Sequence, residues 1–331
     1  MEKTIKRKSI FNADTLQKVL AFAALIVLIL FFAWRSEFFF TAKNMINIGR
    51  ATAAIGVMAL GVTFVIITAG IDLSVGTVMT FSSVIAGVII TMAGLPIWLG
   101  IIGAIAAGAL CGTINGLVIT RLKVPPFIAT LGMLMMTKGL SLVISGTKPI
   151  YFNTTPAYGA ISKGSVMGAI IPGFDVPNAV LIFFLAAIIA GIILSKTVLG
   201  RYTFAIGSNE EATHLSGINV KNWLVAIYAL CGAFCGISGV LFSARIDSAQ
   251  PAIGQGYELN AIAAAVIGGT SLSGGEGTIL GTVIGAFIMS VLNNGLRVLS
   301  VPQEWQYFII GVVVIGAVFL DVLRHRKERV S

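Results

Sequence analysis

Ten apolar stretches follow one another along the sequence, most of them near the length of about 20 residues that a helix needs to cross a bilayer. They are residues 18–34, 51–69, 76–93, 97–120, 127–145, 177–195, 223–242, 259–272, 277–292 and 304–322. Because 57% of the 331 residues are hydrophobic and 11% are charged, the chain has too little polar surface for a soluble domain. We predict an all-α membrane protein of about ten transmembrane helices, in which the short eighth and ninth stretches are broken or tilted.

The basic residues predict the orientation of the chain. Ten crossings place both termini on one side, and a cytoplasmic placement gives 14 basic residues to the inner segments and seven to the outer ones. Such a bias is the usual mark of cytoplasmic loops. We therefore predict cytoplasmic tails at 1–17 and 323–331 around a transmembrane domain at 18–322. The net charge of +9 follows from this distribution and does not indicate a nucleic-acid partner.

Two hydrophilic segments interrupt the apolar pattern. Residues 146–176 are predicted to lie outside as a lid or docking surface, and residues 196–222 to lie inside. The inner segment contains "SNEEATHLSG", in which Ser208 or Asn209 can cap a short helix that ends before Gly217. This helix is either a connector or a contact for a partner protein.

The stretch "TAGIDLSVGT" places a carboxylate, Asp72, between two apolar spans. The sequence from Gly70, "GIDLSVGTVMTFSSVIAG", aligns with "GTSLSGGEGTILGTVIGA" from Gly269, with six identities in 18 positions. Paired, glycine-interrupted apolar segments indicate a binding site near the membrane midplane, although the relative orientation of the two copies stays open. Asp72 either orients the break by accepting backbone amides or marks a turn at the cytoplasmic edge.

Polar residues within the spans are the candidates for a translocation path. We select Thr68, Asp72, Ser74, Asn115, Ser271 and Ser273. Lys138 is a further suspect, since charge inside a membrane is costly. Its long side chain can reach an interface, and we interpret it as structural.

Catalytic and cofactor motifs are missing from the sequence. The glycine-rich "GGTSLSGGEG" is not followed by Lys-Ser or Lys-Thr, and neither HExxH nor GxSxG occurs. The three cysteines show no CxxC spacing and are interpreted as packing residues. We expect no metal, no cofactor and no enzymatic activity. The small residues at every fourth position of 100–116 and 277–285 predict close helix packing.

The residues also resemble a known family, the ribose-type sugar permeases of bacterial ABC importers, from about residue 37 to 321. The resemblance is carried by the motifs "GVTFVIITAGIDLSVGT", "VPPFIATLGM", "GRYTFAIGSNEEATHLSGINV", "SAQPAIGQGYELNAIAAAVIGGTSLSGGEGTILGTVIGA" and "LNNGL". It differs at Asn260, where members of the family often have Asp, and at Lys138, where some have Arg. Glu276 falls at a position of varying charge and is not taken as a site.

The resemblance implies an inner-membrane permease subunit that works as a homodimer and imports a monosaccharide such as ribose. It also implies a cytoplasmic ATP-binding cassette ATPase and a periplasmic or lipid-anchored sugar-binding protein as partners. The family's ATPase-contacting segment matches the inner segment, which assigns this role to Gly200, Arg201, Gly207, Asn209, Glu210 and Gly217. The alternative is a self-sufficient secondary transporter or facilitator of small polar solutes. A membrane enzyme lacks a catalytic constellation.

Overall fold

The computed structural model describes the backbone of residues 13–330 except residues 172 and 174, and the side chains of residues 18–319 with the same two exceptions. The predicted tails, 1–17 and 323–331, lie outside the described side chains. In the described part the helices are α1 (Ala13–Arg35), α2 (Ala42–Ile67), α3 (Val75–Gly87), α4 (Ile97–Arg121), α5 (Pro126–Ile144), α6 (Pro156–Lys163), α7 (Val166–Ile170), α8 (Asn178–Lys196), α9 (Val198–Ser208), α10 (Glu210–Leu215), α11 (Val220–Ile246), α12 (Tyr257–Ile267), α13 (Ile279–Val298) and α14 (Gln303–Val330).

Eight of the described helical segments are long and apolar enough to cross a membrane. The third of them, Val75–Met92, consists of α3 and a π-helical turn at Val88–Met92. Two shorter apolar helical segments, Tyr257–Ile267 and Gln303–Phe319, complete a set of ten. This agrees with the predicted all-α membrane fold.

The prediction that the ninth stretch is short was wrong. α13 has 20 residues and continues to Val298. The apolar stretch in the sequence ends early because the last two turns of α13 contain the polar residues Asn293, Asn294 and Arg297. The helix accommodates them because both asparagines have amide partners on other elements and all three residues line a cavity.

The two ends of the bundle carry different additional elements. We call the end with residues 145–177 the outer end and the end with α9 and α10 the inner end, following the charge prediction. At the outer end, β1 (Ile150–Tyr151) pairs antiparallel with β2 (Ser248–Ala249). The buried Tyr158 of α6 stacks on Phe152, with 4.0 Å between ring centroids. The predicted outer loop is therefore anchored on the bundle rather than free of it.

α2 is the central helix, and every residue from Thr52 to Ile67 is buried. α4 and α11 meet closely beside it because their facing residues are small. An added Cβ on Gly108 would collide with the Gly232 carbonyl, and one on Gly112 with the Tyr228 carbonyl. This confirms the packing role predicted for the small residues of 100–116.

α12 spans only about half of the bundle. Gly254, three residues before the start of α12, lies against Gly76 of α3, whereas Gly87 lies beside β1 and β2 at the outer end. Gly76 and Gly87 are separated by about 16 Å at 1.5 Å per residue, close to half of a hydrocarbon core of about 30 Å. Residues 250–256 therefore descend from the outer end to about half depth. From there the 11 residues of α12 run to the inner end.

Candidate translocation site

Asp72 closes the N-terminal end of α3. The residue is 2% exposed, and its Oδ1 accepts hydrogen bonds from the Ser74 backbone N–H at 2.8 Å and the Ser74 hydroxyl at 2.6 Å. Asn115 of α4 donates from Nδ2 to the same Ser74 oxygen at 3.0 Å. Asp72 therefore has the geometry of a buried acceptor that fixes the break, the first of the two alternatives considered for it.

A second buried carboxylate stands at the N-terminal end of α12. Glu258 is 7% exposed, and both of its carboxylate oxygens accept from the Gly256 N–H, at 3.0 and 2.9 Å. The same carboxylate lies beside Gly76 in the first turn of α3. Both α3 and α12 thus begin inside the bundle, and their N-terminal ends meet here. Each has an acidic residue near the positive end of its helix dipole. Sequence reasoning selected Asp72 and missed Glu258.

The break after α2 and the loop between α12 and α13 touch each other at the inner end. The Gly275 N–H donates to the Ile67 carbonyl at 2.8 Å. Gly207, in the last turn of α9, lies against both of these residues, with no room for a Cβ. We call these contacts of Ile67, Gly207 and Gly275 the inner junction. It joins the end of α2, the end of α9 and the loop between α12 and α13 through backbone atoms.

The selected path residues fall into two groups. Asp72, Ser74 and Asn115 form the buried cluster described above. The others lie by the inner junction: the Thr68 hydroxyl donates to the Val65 carbonyl at 2.7 Å, and the buried Ser271 oxygen accepts from the Ser273 N–H at 3.1 Å. Ser273 itself is exposed. Their part in transport stays a prediction.

An open cavity of about 1030 Å³, which we call the outer cavity, leads from the outer end to the start of α12. Its walls come from α2, α11, α13 and α14, and the N-terminal turn of α12 lies at its deep end. Its polar lining residues are Asn47, Arg245, Gln255, Tyr257, Asn260, Ser290, Asn293, Asn294, Arg297, Gln303, Gln306 and Tyr307. None of the selected path residues lines it.

Sequence reasoning missed the outer cavity, although α13 carried a signal for it. Ser290, Asn293 and Arg297 follow a spacing of three and four, which places polar groups on one face of an otherwise apolar helix.

Lys138 reaches the border of the cavity: its Nζ donates to Oε1 of Gln255 at 2.7 Å. This contact joins α5 to the segment that precedes α12.

Of the six predicted ATPase-coupling residues, Glu210 and Gly217 line an open cleft of about 740 Å³ at the inner end. Asn209 caps α10 by accepting from the Ala212 N–H at 2.9 Å, which agrees with one of the two predicted caps. Arg201 and Glu210 are exposed, and Gly217 adopts a φ of +84° after α10. Gly200 packs closely against the Leu194 carbonyl, and Gly207 belongs to the inner junction. The helix α9 itself was not predicted.

The three cysteines are free and buried. Among the described side chains, no cluster of three or more His, Cys, Asp or Glu residues could hold a metal ion.

Comparisons with known proteins give a consistent result. The model of the family described as "Branched-chain amino acid transport system / permease component" matches residues 44–318. Ribose import permease protein RbsC of Escherichia coli (strain K12) is 38% identical over 96% of this chain and 98% of the relative. RbsC of Bacillus subtilis (strain 168) is 41% identical over 96% of each chain. Fructose import permease protein FrcC of Rhizobium meliloti is 38% identical over 86% of this chain and 79% of the relative.

No solved structure matches the chain. The family match covers most of the described helices, including both helix breaks and the outer cavity. The chain therefore belongs to the branched-chain amino acid transport system / permease component family.

Proposed function

We propose that this chain is the permease subunit of an ABC importer that moves a monosaccharide such as ribose across the bacterial inner membrane. The observation that carries the proposal is the similarity to ribose import permeases over nearly the full length of both chains. The similarity to a fructose import permease supports a monosaccharide as the substrate class.

The geometry suits such a subunit. Helices that begin inside a membrane protein expose N–H groups where they can line a cavity, and in many transporters such ends form the substrate site. Here α12 begins at the deep end of the outer cavity, and α3 begins beside it. Neutral amide and hydroxyl groups hydrogen-bond a sugar weakly enough to release it again.

The partners follow from the same proposal. The cytoplasmic ATPase docks on the cleft at the inner end, where Glu210 and Gly217 line the surface. A sugar-binding protein delivers the substrate at the outer end, and two copies of the permease form the transport unit. The inner junction connects the docking region to both helix breaks, so that movement of α9 reaches α2 and the loop before α13.

Transport by reconstituted protein tests the proposal. The permease is placed in proteoliposomes with a partner ATPase and a sugar-binding protein, and uptake of labelled D-ribose, D-xylose and D-fructose is measured. We expect uptake of at least one sugar that requires ATP and stops when the ATPase carries a mutated catalytic carboxylate. Uptake by the permease alone would instead support the secondary transporter.

A further inference from the structure

The deep end of the outer cavity contains a hydroxyl without a partner. Ser290 of α13 lines the cavity and is 1% exposed, yet its Oγ makes no hydrogen bond in the structure. A buried hydroxyl without a partner costs free energy, and native proteins nearly always pair such groups. The Ser290 hydroxyl is therefore available to a ligand in the cavity.

Two asparagines beside Ser290 offer further hydrogen-bonding groups. Asn293 Nδ2 donates to Asn260 Oδ1 at 3.1 Å and to the Met289 carbonyl at 2.8 Å, so that both of its N–H groups are used. Its Oδ1 accepts no hydrogen bond from any described residue and remains an acceptor. The pair joins α13 to the first turn of α12 and sets these groups at fixed positions.

The charges of the lining exclude a cationic ligand, and its hydrogen-bonding groups indicate which other ligands fit. Arg245 and Arg297 line the cavity, and neither guanidinium makes a hydrogen bond or ion pair with a described residue. No Asp or Glu is among the residues that line it. The lining thus combines cationic donors, a free amide acceptor, a free hydroxyl and the ring of Tyr257. Vicinal hydroxyls, each both donor and acceptor, match this set, and the apolar face of a sugar ring matches an aromatic side chain.

We infer that the outer cavity is a binding site for a neutral, polyhydroxylated solute, with Ser290, Asn293 and Arg245 as its hydrogen-bonding residues. The inference rests on the proposed function and adds to it the place where the sugar is held before translocation. The volume suits it, since ligand pockets commonly measure about 300–1,000 Å³.

Cysteine protection tests the site. Cys111, Cys231 and Cys235 are replaced by Ala, and Ala51→Cys or Ile253→Cys is introduced separately, because both residues line the cavity and neither is buried. The control is Val166→Cys, an exposed residue of α7 that does not line the cavity. Each protein, in membrane vesicles, is treated from the outside with a small hydrophilic thiol reagent, with and without D-ribose, D-xylose, D-fructose or D-gluconate.

We expect a neutral sugar to slow labelling at both cavity positions by about tenfold at about ten times its Kd, because only the unoccupied fraction reacts. Labelling of Val166→Cys should not change, and adding Asn293→Leu should weaken the protection. Uptake of a sugar that protects neither cavity position overturns the site and leaves the proposed function intact. Protection by D-gluconate alone overturns it in favour of an anion site. Protection by a neutral sugar without ATP-dependent uptake supports the site and counts against the proposed function.

Discussion

Asn44 and Asn294, 250 positions apart in sequence, exchange two hydrogen bonds of 2.9 Å, each amide donating to the oxygen of the other. Asn44 lies in the first turn of α2, where its Nδ2 also donates to the Phe39 carbonyl at 2.7 Å. Asn294 lies in the last turns of α13 and lines the outer cavity. This pair holds two walls of the cavity together at its outer end.

We expect Asn294→Leu to lower the stability of the folded protein, because Asn44 then loses a donor and an acceptor in a half-buried position. The loss should be about 0.6–2 kcal/mol, the range for interhelical hydrogen bonds in membranes. Thermal melting in detergent measures it for Asn294→Leu, Asn44→Leu and the double variant. A double variant that loses the sum of the single losses would show that the two amides do not interact.

Gly112→Ala should destabilise the contact of α4 with α11, since the added Cβ would overlap the Tyr228 carbonyl. Overpacking of this kind costs about 1–3 kcal/mol. Gly132→Ala in α5 is the matched control, because no heavy atom lies within 4 Å of the position of its Cβ. Membrane abundance and melting temperature compare the two. Equal behaviour of both variants would contradict the packing role of Gly112.

Single cysteines at Ser74 and Ser273 test the helix breaks. Ser74 is 1% exposed and Ser273 is exposed, so in the absence of nucleotide only Ser273→Cys should react with a small hydrophilic thiol reagent. If the breaks line the path, ATP with the partner ATPase should make Ser74→Cys reactive. A Ser74→Cys protein that stays inert in every nucleotide state would identify the Asp72 cluster as a packed turn.

Lys138 and Gln255 should act as one structural unit. Lys138→Met removes a hydrogen bond from a charged donor, which contributes about 1.5–3 kcal/mol. We expect less folded protein in the membrane and nearly normal uptake per molecule, whereas Lys138→Arg should be tolerated. Gln255→Met should behave like Lys138→Met, and the double variant should be no worse. Full abundance with uptake lost in Lys138→Met would instead indicate a contact with the sugar.

Glu210→Arg and Gly217→Val should uncouple the permease from its ATPase. Both residues line the cleft at the inner end, and neither is buried in the bundle, so the protein should still reach the membrane. Sugar-stimulated ATP hydrolysis and co-purification of the ATPase are the measurements. Lys196→Glu, an exposed charge reversal outside the cleft, is the control. Wild-type hydrolysis in both cleft variants would contradict this docking site.

The fold class was predictable because apolar length dominates the sequence, and the Asn209 cap because its signal is local. The half-depth start of α12 was not, since residues 250–256 carry no periodic pattern and their depth depends on Gly254 meeting Gly76. The selected path residues were chosen because they interrupt apolar runs. That criterion finds Asp72 at a break, but it passes over Ser290, whose significance lies in its missing partner.

The outer cavity could not be predicted from the sequence, because its lining depends on how separate helices pack together. Its polar residues come from α2, α11, α12, α13, α14 and the segment before α12, and each element taken alone contributes only a few of them. Asn293 alone reads as one polar residue near a helix end. Only the structure shows that it faces Asn260 and that Arg245, 48 positions earlier, lines the same space.

The inner junction has a consequence for how such systems diversify and can be re-engineered. Its closest approaches involve the Ile67 carbonyl and the backbones of two glycines, so side-chain replacement elsewhere leaves it unchanged. If the ATPase docks on the inner cleft as proposed, its recognition depends instead on α10, whose exposed side chains can vary without changing that contact. Replacing residues 209–217 with those of another permease should therefore give a hybrid that couples to the ATPase of the other system and keeps its own substrate.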